Sequence, residues 1–191
     1  MNFGLIVEGE FDSRVYQALI RNIRSDVERI FPRVAGGRKR VQTKFPFFLD
    51  EFMRNKGRPV DKVMVIHDSD DKDPAVLEQK HREAWDKTRI KPPFPVHFHA
   101  TKCEVEAWLL ADENAVNEVA RARGGNPIAT RQDIQLEAHP DPKSLFRTVL
   151  YECDLQATAE VYAEVASAAD LDTIQNRCPR FGRFVEGVNN C

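Results

Sequence analysis

No run of this sequence is apolar over the roughly 20 residues that a membrane-spanning helix needs, and it carries no basic, apolar and small-residue leader. A cytoplasmic protein with no membrane partner is therefore expected. Cysteine is sparse: four residues, Cys103, Cys153, Cys178 and Cys191, stand far apart with no C-x-x-C pair. That spacing argues against a disulfide framework or a structural zinc site and for reduced thiols. Net charge is nearly absent, since 28 Lys and Arg against 30 Asp and Glu leave a formal charge of -2. The whole molecule thus exerts no attraction on nucleic acid or an anionic membrane, and any polyanion contact must use a local patch. Internal repeats and low-complexity tracts are also missing.

What is present has a globular balance, with 42% hydrophobic and 30% charged residues in 191. That length suits one core with an extension and is too short for two full-sized enzyme domains. Phe3-Gly4-Leu5-Ile6-Val7 and Val63-Met64-Val65-Ile66 are short apolar runs without alternation, as in central strands covered on both faces. Between them, residues 12–30 place Val15, Leu19, Ile23 and Val27 on one stripe with Tyr16, Ile20 and Ile30 beside it. This periodicity predicts a helix joining the two strand regions. Strands alternating with helices imply an α/β fold, an open and mostly parallel sheet flanked by helices.

Further along, Gly36-Gly37-Arg38-Lys39-Arg40 reads as a loop, either a solvated basic turn or a mobile segment able to meet phosphate. Residues 45–55, with Phe48, Leu49, Phe52 and Met53, predict a short helix. Asp73-Pro74, a cap followed by proline, opens another helix that carries Leu77 and Trp85 and is stopped by Pro92, Pro93 and Pro95. Residues 96–100 predict a further strand, and Thr101-Lys102-Cys103-Glu104 has capping-box spacing for a helix over 103–110. From Asp112 onward the pattern is helical with breaks, over 113–123, 142–151, 157–168, 171–175 and 179–188. The expected organisation is an α/β core over 1–111 and a helical extension over 112–191 packed on it.

Two acidic segments, Val7-Glu8-Gly9-Glu10 and His67-Asp68-Ser69-Asp70-Asp71, each follow a predicted strand directly. Open α/β sheets bind ligands outside the carboxyl ends of their strands, so Glu8 and Asp68 are expected to converge there. Asp68 and Asp70, two residues apart, project from one side of an extended segment. Carboxylate oxygens suit Mg2+ or Mn2+, and Mg2+ usually takes only one or two protein carboxylates. Such an ion assists phosphodiester cleavage by lowering the pKa of the attacking water and neutralising developing charge. The bland alternative is a polar loop that caps a helix, and a second acid at another strand end weighs against it.

Asp12 and Asp73 are accounted for as helix caps, Glu104 by the capping box, Glu10 as solvent-facing and Asp71 as pointing away from the pair. Glu106 has no comparable duty and joins the candidate site. Lys102 is a candidate for stabilising phosphate charge, against the commoner reading of a surface lysine at a helix start. His97 and His99 share a strand face but have no third ligand in register, and His67 is expected on the face opposite Asp68. Trp85, Trp108, Tyr151 and Phe181 fall on helical patterns that suit packing.

Leu5-Ile6-Val7-Glu8-Gly9, followed at a distance by Val65-Ile66-His67-Asp68-Ser69-Asp70, resembles the toprim fold of topoisomerases, bacterial primases and OLD-family nucleases. That family binds magnesium through a glutamate after its first strand and a D-x-D after a later one. The resemblance thus implies Glu8, Asp68 and Asp70 as metal ligands. Glu104-Val105-Glu106-Ala107-Trp108-Leu109-Leu110-Ala111-Asp112, Asp141-Pro142-Lys143 and Cys178-Pro179-Arg180-Phe181 resemble a toprim-like family related to the OLD nucleases, which extends the likeness over nearly the whole chain. It departs at Asp12, where relatives often carry glutamate. The resemblance implies a Mg2+- or Mn2+-dependent nuclease acting on DNA or RNA, encoded beside an ABC- or AAA-type ATPase in phage defence. Two other readings stay open: a non-catalytic subunit of an ATPase complex with a vestigial acidic site, and a phosphatase-like or receiver-like pocket.

Overall fold

The computed structural model describes residues 1–57, 59–69, 72–102, 104–129 and 135–190, the side chain of Arg38 excepted. Four parallel strands, β1 (Asn2–Val7), β2 (Arg29–Val34), β3 (Lys62–Asp68) and β4 (Val96–Thr101), form a sheet in the order β2-β1-β3-β4. Helices α1 (Glu10–Ile23), α2 (Arg38–Arg54) and α3 (Pro74–Asp86) make the crossovers that parallel pairing requires. The α/β class and the parallel, helix-flanked sheet predicted from the sequence are what the chain forms.

The two inner strands are buried on both faces, which accounts for their unbroken apolar character. Phe3, Leu5, Val7, Met64 and Ile66 pack on one side with α1 and the C-terminal helices. Ile6, Val63, Val65 and Phe98 pack on the other with Val41, Phe45, Leu49 and Phe52 of α2. Gly4 belongs to this second face, where an added Cβ would lie 2.8 Å from Val63 Cγ2 and 2.9 Å from the Phe52 ring. The missing side chain is what lets α2 lie on the sheet.

Three boundaries differ from expectation. The helix predicted over 12–30 stops at Ile23, and residues 29–34 are instead the edge strand β2, in register from Asn2↔Arg29 to Val7↔Val34. Val27 and Ile30 happen to continue the helical spacing, whereas Ile30 is buried from a strand. Pro32 fits there because an edge strand tolerates a missing N–H. Arg38, Lys39 and Arg40 are the first turn of α2 rather than a loop, preceded by Gly36 and Gly37 at φ +84° and +127°. The helix predicted over 103–110 shrinks to α4 (Glu106–Leu109), because Thr101 is still paired with Asp68 in the sheet and cannot cap a helix. The Glu104 carboxylate instead accepts the Lys143 N–H at 3.1 Å.

Beyond α4 come α5 (Glu113–Ala122), a 3-10 turn (Leu136–Ala138), α6 (Pro142–Glu152), α7 (Ala159–Ala168), α8 (Leu171–Arg177) and α9 (Phe181–Asn189). Asp112, Asp141, Thr158 and Asp170 each accept a backbone N–H at the start of a helix, the usual N-cap bond. These helices share one apolar cluster with α1 and the sheet, with α7 lying along α1. Trp108 meets Phe181 edge-on at 5.0 Å and Tyr16 at 6.1 Å, so the predicted packing roles of Trp108 and Phe181 hold. Tyr151 is exposed. No helix among the described residues is long and apolar enough to cross a membrane.

Candidate active site

Glu8 follows β1 and is fixed at both its backbone and its side chain. Its carbonyl accepts N–H bonds from Gly36 at 3.0 Å and Gly37 at 3.1 Å. The Gly36-Gly37 segment is therefore a tight clasp on the strand end, built in backbone conformations that favour glycine. The Glu8 Oε1 accepts the Asp68 N–H at 3.1 Å, so the side chain adds one more rung between β1 and β3 beyond the Ile6↔Val65 pair. This ties the Glu8 carboxylate to the backbone of Asp68, the two residues standing at neighbouring strand ends.

Asp68 closes β3 opposite Thr101 of β4. Burial pushes its carboxyl well above the ordinary carboxylate range, and the charges of Asp12, Glu8, Glu106 and Glu104 push the same way. The floor beneath is Tyr16, whose hydroxyl is 2.6 Å from Thr101 Oγ1 and whose own pKa rises through burial and then the charge of Asp68. Glu106 opens α4, is only 5% exposed, and is pushed up to about 7 by burial, with Glu104 and Asp12 adding to the rise. Lys143 Nζ stands 3.9 Å from its Oε1 and opposes that rise.

The cluster therefore includes Asp12 and Glu104, two acids that helix capping accounts for in the sequence. Asp12 does perform a capping bond, accepting the Gly9 N–H at 2.9 Å, but from the third position of α1 with Gly9 at the N-cap. That turn sits at the same strand end as Glu8, so the residue caps and lines the site at once. Glu104 likewise accepts the Lys143 N–H and still bears on Asp68. Lys143 appears in the sequence only within the Asp141-Pro142-Lys143 segment of the family likeness and not among the candidate site residues.

His67 points away from Asp68, as alternation predicts, and packs 5.0 Å from the His81 ring. It nonetheless reaches Glu8, with Nε2 3.4 Å from Oε1. Lys102 lies on the wall of an adjoining cleft of about 780 Å3, together with Lys72, Glu104, His139 and Arg180. Lys39 and Arg40 are exposed on α2. Asp70 lies outside the described residues. His99 is a packing residue, buried between Trp108 and Phe184 at 5.8 and 5.4 Å and pushed down to about 3 by burial and then by Arg180 and Arg183.

Among the described residues no three of His, Cys, Asp and Glu stand close enough together to hold one ion. Glu8 and Asp68 instead offer two hard-oxygen side chains at neighbouring strand ends, within the one or two carboxylates that magnesium usually takes from a protein. The Asp68 carboxyl is raised first by burial and then by the neighbouring acids, and a divalent cation bound there would favour its ionised form. The donor chemistry fits such an ion.

A family model described as "Domain of unknown function (DUF4276)" matches residues 7–189. No curated protein matches the chain. One similar solved structure is the C-terminal region of the Xanthomonas campestris pv. campestris OLD protein, at 13% identity and a TM-score of 0.48, covering 97% of this chain and 93% of that one.

Proposed function

From the premise that the chain belongs to the DUF4276 family, we propose that it is a nuclease, hydrolysing phosphodiester bonds in DNA or RNA with Mg2+ or Mn2+ as cofactor. Glu8 and Asp68 are the metal ligands, joined by Asp70 on the strength of its D-x-D spacing. The observation that carries the reading is the crowding of Asp68 by Glu8, Asp12, Glu104 and Glu106 at the carboxyl ends of parallel strands. When bound, the cation supplies charge neutralisation and a lowered pKa for water.

The chain's own residues divide the remaining work. The clasp on the Glu8 carbonyl and the Asp68 N–H hold the first ligand in place. Glu106, with a pKa about 7, takes the proton from the attacking water, since a general base works best near the ambient pH. Lys102 and Lys143 stabilise charge on the phosphate oxygens. The family resemblance extends the proposal to phage defence beside an ABC- or AAA-type ATPase, with residues 112–191 as the surface offered to it.

The test is cleavage of labelled single-stranded and duplex DNA and RNA in Mn2+ and in EDTA. Wild-type protein is expected to cut one of them only with metal, while Glu8→Gln and Asp68→Asn lose cleavage and keep their circular dichroism. Unchanged cleavage in either variant excludes this site.

A further inference from the structure

Residues 29–57, which form β2, the Gly36-Gly37 clasp and α2, carry eight Lys and Arg against two Asp and Glu. The whole chain stands at -2, so its charge is sharply divided, an asymmetry of the kind that polyanion-binding surfaces show. Both acids of the segment are paired, Asp50 with Arg54 at 2.8 Å and Glu51 with Arg33 at 3.1 Å. Even counted in full they leave an excess of six positive charges. The uncommitted cations gather at the start of α2, where residues 38–49 contain no Asp or Glu. Lys39, Arg40 and Lys44 are exposed there and form no ion pair with a described carboxylate. Arg40 and Lys44 are four residues apart and Phe47 three further on, so they share one face of the helix, on which Phe47 is 62% exposed. Lys44 Nζ donates to the Ala35 carbonyl at 3.0 Å, which holds its charge beside the helix start. That start adjoins the site: Gly36 and Gly37, whose N–H groups hold the Glu8 carbonyl, directly precede α2, and the Gly37 carbonyl accepts the Arg40 N–H at 2.9 Å.

We propose that this face of α2 binds the phosphate backbone of a nucleic acid, whatever its sequence, through Lys39, Arg40 and Lys44, and leads it to Glu8 and Asp68. The inference rests on the nuclease reading for the identity of the polyanion. The acids of the site repel phosphate, so the charge that holds the substrate has to come from outside their cluster, and α2 supplies it at the same strand end. Such binding draws its energy from released counterions and not from base contacts, which a few exposed cations on a rigid helix provide. An anionic membrane would also need an apolar helix face to bury. That face of α2, with Val41, Phe45, Leu49 and Phe52, is already packed on the sheet.

Fluorescence anisotropy of a labelled oligonucleotide, single-stranded and duplex, measured in EDTA so that no cleavage intervenes, tests this face by itself. The Lys39→Glu, Arg40→Glu double variant is expected to weaken binding about tenfold or more, and adding Lys44→Glu to weaken it further. Each single replacement by Ala is expected to lower the salt slope by about 0.7 on a single strand or about 0.9 on a duplex. The replaced side chains are exposed, and a cooperative thermal transition checks that each variant is folded. Arg121→Glu, an equal change of charge at an exposed position of α5, is the control and is expected to bind as wild type. Unchanged binding in the triple variant overturns the proposal. So does an Arg121→Glu protein as impaired as the double variant, since attraction would then follow net charge alone. Vesicles of anionic phospholipid that bind wild-type protein while the oligonucleotide does not overturn it in favour of a membrane surface. An oligonucleotide held through α2 but never cut in Mn2+ upholds the face and counts against hydrolysis alone.

Discussion

His67 Nε2 stands 3.4 Å from Glu8 Oε1, and the other ring nitrogen of His67 stands 3.3 Å from His81 Nε2. The chain ends at His81 Nδ1, 2.9 Å from the Leu77 carbonyl. A carbonyl can only accept, so His81 carries its proton on Nδ1; burial lowers its pKa and keeps it neutral. Its Nε2 is then an acceptor, and His67 Nδ1–H must be the donor. With its Nδ1 proton directed to His81, His67 meets the Glu8 carboxylate as a donor only as the imidazolium, with a second proton on Nε2, and in that form it is the kind of outer support that orients metal ligands.

His81→Phe tests that chain. Phenylalanine keeps the contacts to Phe45 and Phe98 but removes the acceptor, leaving the buried His67 donor unmatched at a cost of about 1–3 kcal/mol. Mn2+ affinity measured by titration calorimetry is expected to fall about 10–100-fold. Affinity within error of wild type, in a protein that still melts cooperatively, removes the pair from the site.

Asp68→Asn is expected to separate stability from activity. The raised carboxyl means that the folded state holds the proton more tightly than the unfolded chain does. Without metal, wild-type stability therefore falls as pH rises from the usual aspartate range through the raised folded value. A neutral amide of the same shape escapes that loss, so the variant should gain about 0.5–2 kcal/mol at pH 7 in EDTA. Added Mn2+ should raise the melting temperature of wild type and leave the variant unmoved. A variant less stable than wild type in EDTA contradicts the electrostatic account.

Glu106 gives the pH dependence of the reaction. As a base with a pKa about 7 it is mostly protonated below that value, so the rate should rise with pH and level off above it. Glu106→Gln should lower the plateau about 10²–10⁴-fold and erase the acid limb. A limb that persists in the variant assigns the proton to another group.

What the sequence made legible follows from where its signals were unambiguous. β1 and β3 stood out because strands buried on both faces need continuous apolar runs, and Glu8 and Asp68 followed from the strand ends. β2 did not, because Val27 and Ile30 fit a helical stripe as well as a strand, and only pairing with β1 decides. Asp12 and Glu104 are hidden in the sequence because helix capping by itself accounts for a carboxylate at such a position, yet capping leaves its charge free to act on Asp68. The reach of His67 to Glu8 crosses between two strands, a relationship that spacing along one strand does not encode.

His99 predicts an acid weakness away from the site. Its folded pKa is about 3, against the ordinary value of 6.5, so protonation is refused by the native state and accepted by the unfolded chain. Its contribution is fully present above pH 6.5 and is lost as pH falls toward 3, at up to about 1.4 kcal/mol per pH unit. His99→Phe, set between Trp108 and Phe184, should flatten the stability curve over that window in urea titrations. Parallel curves for wild type and variant at pH 4 to 7 would refute the assignment.

Gly125 tests the packing of the helical half independently of any charge. Its N–H donates to the Ala120 carbonyl at 2.8 Å, and the next residue, Asn126, donates to the Cys153 carbonyl at 3.2 Å. The chain leaving α5 is thereby laid against the end of α6, and a Cβ at Gly125 would lie 2.1 Å from the Cys153 oxygen. Backbone cannot give way as a side-chain tip can, so Gly125→Ala should cost about 1–3 kcal/mol or more. Gly57→Ala is the matched control, because its nearest neighbour would be the Asn55 side-chain oxygen at 3.8 Å, an ordinary contact. Denaturant midpoints should separate the two variants, and a Gly125→Ala protein as stable as Gly57→Ala would mean that α5 and α6 are not held together through this contact.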